Sequence, residues 1–244
     1  MTKELEFLIR IVKEAGELVT DDIVVKAKEN IYVGDLVTNF DFAIEQLLIN
    51  QIKTMYPSFG IVSEEFNDKV ALAKNCFVID PIDGTINFAH GFPLWCIQVA
   101  CVKNGETVAS VIYMPRMNEM YYADENGAFL NGNKITVNKL SPEKCLYSIN
   151  SHNPVPSIKR MSKHISPVYN RNFVSTGVSF AYTASGKLGG IAYQSSAVWD
   201  YMPGQYLVKQ AGGYIYSGNS HIGANSLEFV ELLKKETDSW KADK

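Results

Sequence analysis

The sequence lacks the marks of several protein classes. No apolar run approaches the roughly eighteen residues that a membrane-crossing helix requires. Lys and Arg total 23 against 26 Asp and Glu, a formal charge of −3, and no basic stripe is present, so a nucleic-acid partner is not expected. The four cysteines, Cys76, Cys96, Cys101 and Cys145, form no C-x-x-C pair and sit among apolar neighbours. They read as buried thiols of a reducing, cytoplasmic protein. The four histidines, His90, His152, His164 and His221, show no metal-ligand spacing and receive no role. Repeats, low-complexity stretches and long linkers are absent. The 244 residues therefore fit one large domain or two closely packed halves.

What is present is a mixed helix and strand pattern. The first residues, MTKELEFLIRIVKEAGELV, contain acids and apolar residues at helical spacing, so they predict an amphipathic helix rather than a leader peptide. Its apolar face is Leu5, Leu8, Ile9, Val12, Ala15 and Val19. A second helix, capped by Thr38 or Asn39, carries Phe42, Ile44, Leu47, Leu48 and Ile52 and ends before Pro57. Strands are expected at Phe59–Ser63 and Cys76–Ile79, then at Leu94–Val102 and Thr107–Tyr113 around an Asn104-Gly105 turn. Met120–Ala123, Gly127–Leu130 and Lys134–Val137 continue the strands. The second half alternates: strand Leu146–Asn150, helix Ser157–Ile165, strand Phe173–Ser175, helix Val178–Ser185, strand Gly190–Gln194, helix Tyr201–Gln210, strand Gly213–Tyr216 and helix Leu227–Lys235. Gly212 falls where a helix-ending glycine belongs.

The chemistry concentrates in Asp80-Pro81-Ile82-Asp83-Gly84-Thr85-Ile86-Asn87-Phe88. An apolar strand delivers Asp80, Pro81 is expected to stop that strand, and Asp83 follows close enough for both carboxylates to face one cation. Hard oxygen ligands attract Mg²⁺. Gly84 permits close backbone approach, and Thr85 opens a helix whose N–H groups attract a phosphate oxygen. The bland alternative, a solvated acidic turn with a helix cap, suits an isolated D-x-x-D better than this whole string.

The string resembles the signature of the inositol monophosphatase family, Mg²⁺-dependent, lithium-sensitive sugar and nucleotide phosphatases. Other landmarks fall in the family's order: Asp35-Leu36-Val37-Thr38-Asn39-Phe40-Asp41, then Ser63-Glu64-Glu65 with serine for the usual glycine. Trp199-Asp200, Gly204 and Ala211-Gly212-Gly213 follow, and Ile222-Gly223-Ala224-Asn225 before a helix is similar to the usual ending. The resemblance implies an α/β (α+β) fold, the layered α/β/α/β/α sandwich of the sugar phosphatase type. Residues 1–140 would hold most metal ligands, and residues 141–244 would supply Asp200 and the substrate wall. It implies two or three Mg²⁺ ions held by Glu64, Asp80, Asp83, Asp200 and the Ile82 carbonyl. Asp41, Thr85 and Glu64 are the implied catalytic residues, with Thr85 bonding the attacking water and Asp41 accepting from the Thr85 hydroxyl. Gly84 and Thr85 would hold phosphate oxygens; Asp83, Gly177, Ser179, Tyr193 and Asp200 would complete the substrate site. A small phosphorylated metabolite and a homodimer are the implied partners.

The substrate half departs from the family pattern. Members usually open a helix with Gly-Ser/Thr-Ala-Ala, and the matching stretch is read here as Gly177-Val178-Ser179-Phe180. Inositol-using members carry an acid seven residues before the tryptophan-linked aspartate, where this chain has Tyr193. The implied activity is hydrolysis of a small, inositol 1-phosphate-like phosphate monoester by direct attack of metal-activated water; if Tyr193 and Phe180 face the cleft, the pocket is less anionic and more apolar than an inositol site, and inositol 1-phosphate is hydrolysed but is not the best substrate. 3′-Phosphoadenosine 5′-phosphate, fructose 1,6-bisphosphate, NADP and histidinol phosphate are the alternatives. A regulatory binding protein on a phosphatase fold is the alternative of another class. Trp95, Trp199 and Trp240 are read as packing residues, and Glu65 as either a supporting or a solvated charge.

Overall fold

The computed structural model describes residues 1–27, 36–151 and 165–238. The expected helix Ser157–Ile165, together with Asp35, His152, His164 and Trp240, lies wholly or largely outside the described residues. Helix α1 spans Lys3–Glu17, capped by the Thr2 hydroxyl, and buries Leu5, Phe7, Leu8, Ile11, Val12 and Ala15. A short antiparallel pair follows, β1 (Val25–Ala27) with β2 (Leu36–Thr38), which the apolar pattern had not marked. Helix α2 covers Asn39–Met55, with Thr38 as its cap.

Strands β3 (Gly60–Ser63) and β4 (Cys76–Asp83) pair in parallel. The antiparallel strands β5 (Cys96–Lys103), β6 (Glu106–Met114), β7 (Glu119–Asp124), β8 (Gly127–Leu130) and β9 (Asn133–Ile135) complete a seven-stranded sheet in chain order. A five-residue helix, α3 (Thr85–Ala89), leaves the end of β4. Asn104 and Gly105 both take positive φ, 55° and 86°, as the expected two-residue hairpin requires.

The second sheet has four strands in the order β10 (Tyr147–Ser151), β11 (Gly190–Gln194), β13 (His221–Ala224) and β12 (Tyr214–Ser217). Helix α4 is Thr176–Ala184, α5 is Met202–Gln210 and α6 is Leu227–Asp238. Helices α1 and α2 pack on the outer face of the large sheet; α4 and α5 lie between the two sheets; α6 covers the far face of the small one. This is the expected α/β/α/β/α layering. Among the described residues, no helix is long and apolar enough to cross a membrane.

Two local expectations fail for identifiable reasons. Pro81 does not end β4. The strand runs to Asp83 because the residue needing no ladder donor sits in an irregularity, with Asp80 opposite Gln98 and Asp83 opposite Cys96. Three steps along β4 thus match two along β5, and the extra residue turns Asp80 and Asp83 toward one side of the sheet, where strict alternation would oppose them. Phe173–Ser175 is not a strand. The Asn172 Oδ1 accepts from the Val174 N–H at 3.0 Å, closing a local turn, and Val174 takes a left-handed φ of 57°. In addition, His221–Ala224, for which no element was expected, pairs with both β11 and β12.

Candidate active site

The bulged end of β4 supplies Asp80 and Asp83, both buried. The Gln98 Nε2 donates to Asp80 Oδ2 at 3.2 Å, while Asp80 Oδ1 and Gln98 Oε1 are buried without a hydrogen-bond partner. Burial pushes the Asp80 carboxyl well above the usual carboxylate range, and the negative charges of Glu64, Asp83 and Asp200 push it further. Four acids from three separate stretches of chain therefore share one neighbourhood, as the sequence led one to expect.

Asp83 is clasped by the first turn of α4. The Ser175 hydroxyl donates to its Oδ2 at 2.7 Å, the Thr176 N–H reaches Oδ1 at 3.2 Å, and the Gly177 N–H also donates to Oδ2. Burial and then Asp200 raise Asp83 to about 6, although these donors pull the other way. A β-carbon on Gly177 would stand 2.5 Å from the Cys96 Sγ and 2.9 Å from Asp83 Oδ2, so only glycine lets the helix approach this closely. Gly84, at φ 91°, faces the same turn; a β-carbon there would lie 3.0 Å from the Ser175 Cβ. The Asn87 side chain fastens both segments, donating to the carbonyls of Leu94 and Phe173 at 2.6 Å each.

The helix-opening stretch is accordingly Val174-Ser175-Thr176-Gly177, with Ser175 as cap, three residues before the one expected. Ser179 and Phe180 do not reach the cleft. Ser179 is fully buried, donates to the Ser175 carbonyl at 2.8 Å and meets the Ser148 hydroxyl at 3.2 Å. Phe180 is a core residue packed so tightly on α5 that a β-carbon at Gly204 would fall 2.3 Å from its ring. The apolar pocket wall expected from Phe180 is therefore withdrawn.

Asp200 ends a short 3₁₀ turn, Val198–Asp200. The Ser195 hydroxyl donates to its Oδ2 at 2.7 Å, the Tyr193 hydroxyl also bonds its carboxylate, and the Thr176 hydroxyl donates to its main-chain carbonyl at 2.8 Å. Tyr193 is thus at the site but almost wholly buried. The Thr85 hydroxyl donates its one proton to the Ile82 carbonyl at 2.9 Å. Asp41 instead accepts from the backbone N–H of Thr38, 2.7 Å away, and from the Thr38 hydroxyl, as partner in the cap of α2. The expected donation from Thr85 to Asp41 is therefore not made, because a hydroxyl has a single proton to give.

Glu64 is half-buried in the turn after β3. That turn is held by a residue the sequence reading missed, Glu45, which accepts from the Ser63 hydroxyl at 2.5 Å and from the N–H groups of Glu65 and Phe66 at 2.8 Å. Burial raises the Glu45 carboxyl despite these bonds. Its signal was available: Asp41 and Glu45 occupy the buried stripe of α2 with Ile44, Leu48 and Ile52, and a charge on such a stripe asks for partners. His221 was also missed. Its ring stacks on Tyr201 at 3.4 Å and its Nε2 meets the Ser195 carbonyl at 3.1 Å, bracing the loop on both sides of Asp200. The packing role expected for Trp95 holds, since it is 1% exposed and sits on Phe88.

Among the described residues, no three acidic, histidine or cysteine side chains converge as a preformed cation cage. The reason lies in the bonds above: Asp83 and Asp200 rest on hydroxyl and amide donors. The donor set nevertheless fits a hard cation, because Asp80 keeps a buried, unpartnered oxygen beside three further acids.

Comparison with known proteins bears on this site. The model of the inositol monophosphatase family matches residues 1–232. The fructose-1,6-bisphosphatase/inositol-1-monophosphatase of Thermotoga maritima is 32% identical, over 94% of this chain and 94% of its own. The solved structure of a Thermotoga maritima IMPase superposes with a TM-score of 0.83 at 28% identity, covering 99% of both chains. An IMPase/NADP phosphatase complexed with Mg²⁺ and phosphate shares the fold at a TM-score of 0.82 and 20% identity, over 94% of this chain and 93% of its own.

Proposed function

Because the chain belongs to the inositol monophosphatase family, we propose that it is a divalent-cation-dependent phosphoric monoester hydrolase acting on a small phosphorylated metabolite. The observation that carries this is Asp80, buried with an unpartnered oxygen and with Glu64, Asp83 and Asp200 as its charged neighbours. Four such carboxylates are a poor arrangement without a cation and a good one with Mg²⁺. Glu64, Asp80, Asp83, Asp200 and the Ile82 carbonyl would hold the metal. Bound Mg²⁺ supplies Lewis-acid neutralisation of the phosphoryl oxygens and lowers the pKa of a bound water.

The chain's own residues do the rest. Thr85, whose proton lies on the Ile82 carbonyl, keeps lone pairs to receive a hydrogen bond from the attacking water and hold it in line. Glu64, half-buried beside the site, takes up the proton that the water loses. Asp41 acts through its buried place at the start of α2. The N–H groups of Gly84 and Thr85 face the phosphate, where charge concentrates. Water attacks phosphorus directly as the P–O bond to the alcohol breaks, and the departing oxygen takes a proton from solvent while Glu64 returns its own, so no phospho-enzyme forms.

Inositol 1-phosphate and fructose 1,6-bisphosphate are the first substrates to compare, from the name of the Thermotoga relative. Tyr193 cannot act as the anionic acceptor of two hydroxyl protons, so inositol 1-phosphate is not expected to be the best of the panel. The test is inorganic phosphate release from these two, NADP, histidinol phosphate and 3′-phosphoadenosine 5′-phosphate, with and without Mg²⁺. Turnover that survives exhaustive EDTA treatment defeats the proposal.

A further inference from the structure

We infer that Tyr193 and Ser195 are positioning residues that together orient the Asp200 carboxylate, and that Tyr193 serves this carboxylate rather than the alcohol of the substrate. The inference rests on the reading of Asp200 as a cation ligand. Tyr193 is the penultimate residue of β11, 5% exposed, and its hydroxyl is bonded to Asp200. Ser195 lies two residues on. Its oxygen accepts the Ala197 N–H at 3.0 Å, which aims its own proton at Asp200 Oδ2, 2.7 Å away.

The main chain around Asp200 is pinned as well. The Thr176 hydroxyl donates to the Asp200 carbonyl, and His221 touches the Ser195 carbonyl and lies flat on Tyr201, with 5° between the rings. Asp200 therefore has little freedom of its own: two hydroxyls fix the carboxylate, and Thr176 and His221 fix the backbone that carries it. A phenol is protonated at neutral pH, so Tyr193 meets the carboxylate as a donor. With its one proton committed to Asp200, Tyr193 offers a substrate only a weak acceptor oxygen. A ligand held in this way binds a cation without first losing rotamer freedom, which is the service that outer-shell partners perform.

The test is calorimetric titration of the metal-stripped protein with Mg²⁺ alone, followed by steady-state kinetics at saturating Mg²⁺ on the best substrate of the panel. Tyr193→Phe should raise the apparent Kd for Mg²⁺ about tenfold and leave KM within about twofold of wild type, the scale of an outer-shell loss. Ser195→Ala, on a partly exposed loop and easily tolerated, should shift the Kd in the same direction, and it keeps the test decisive if Tyr193→Phe folds poorly. Mg²⁺ binding unchanged in both variants overturns the inference. So does a Tyr193→Phe enzyme whose KM rises while its Mg²⁺ affinity does not, since the tyrosine then contacts the alcohol. A wild-type protein that binds no Mg²⁺ removes the cation reading itself and this inference with it, an outcome distinct from the other two.

Discussion

Val174 invites the sharpest test of the local geometry. It is a β-branched residue at φ 57°, immediately before the serine that caps α4 and grips Asp83. A left-handed backbone costs an L-residue about 1–2 kcal/mol, more reliably so when the side chain is branched. The ordinary ranking of alanine over glycine, about 0.5–1 kcal/mol from unfolded-state entropy, should therefore reverse here. Comparing Val174→Gly with Val174→Ala isolates this term, because both remove the same half-exposed side chain. Val174→Gly should be the more stable by roughly 1 kcal/mol, which for a chain of this length is about 2–4 °C in Tm. Guanidinium unfolding and thermal melts, with Mg²⁺ held constant, measure it. The bond pattern around Asp83 is retained in both, so kcat should change by less than about threefold in Val174→Gly. A Val174→Ala protein as stable as the glycine variant, or more so, would refute the left-handed assignment and with it the account of how α4 begins.

Three further outcomes follow from the site. Gly177→Ala places a methyl group 2.5 Å from the Cys96 Sγ and 2.9 Å from Asp83 Oδ2, so it should lower kcat at least about a hundredfold by displacing Asp83, and near-normal turnover would contradict the close approach of α4. Glu45→Ala leaves the Ser63 hydroxyl and the Glu65 and Phe66 N–H groups without their acceptor; a loss of about 2–4 kcal/mol in denaturant unfolding and a drop in kcat through Glu64 are expected. The metal-free protein should lose stability as pH rises. Asp83 is raised, so below about pH 4 it is protonated in folded and unfolded chains alike and costs nothing. The cost grows between about pH 4 and 6 and levels off above, at an order of magnitude of 3 kcal/mol. Saturating Mg²⁺ should abolish that decline, and a flat profile without metal would show that Asp83 is not raised.

The division between sequence and tertiary structure can be traced through single residues. Helices α1 and α2, the Asn104-Gly105 hairpin and the string from Asp80 to Phe88 were legible because their signals are local: apolar spacing, cap residues, turn pairs and carboxylates three apart. The same local reasoning had Pro81 ending its strand, while matching the family's helix-opening stretch to Gly177–Phe180 made Ser179 a substrate residue and Phe180 a candidate for the cleft wall. A bulge depends on the partner strand, here on how Gln98 and Cys96 align with β4, and one chain segment carries no record of its partner's register. The start of α4 likewise follows from Ser175 capping the helix while it reaches Asp83, 92 residues away. Glu45 beneath the Ser63–Phe66 turn and the two hydroxyls on Asp200 are also matters of distance in space. The sequence by itself supplied the acids to look for, Asp80 and Asp83 because a hard cation asks for carboxylates, Glu64 and Asp200 through the resemblance to the family. How those acids are oriented was left to contacts between distant segments, because a carboxylate's direction is set by donors that only folding brings to it.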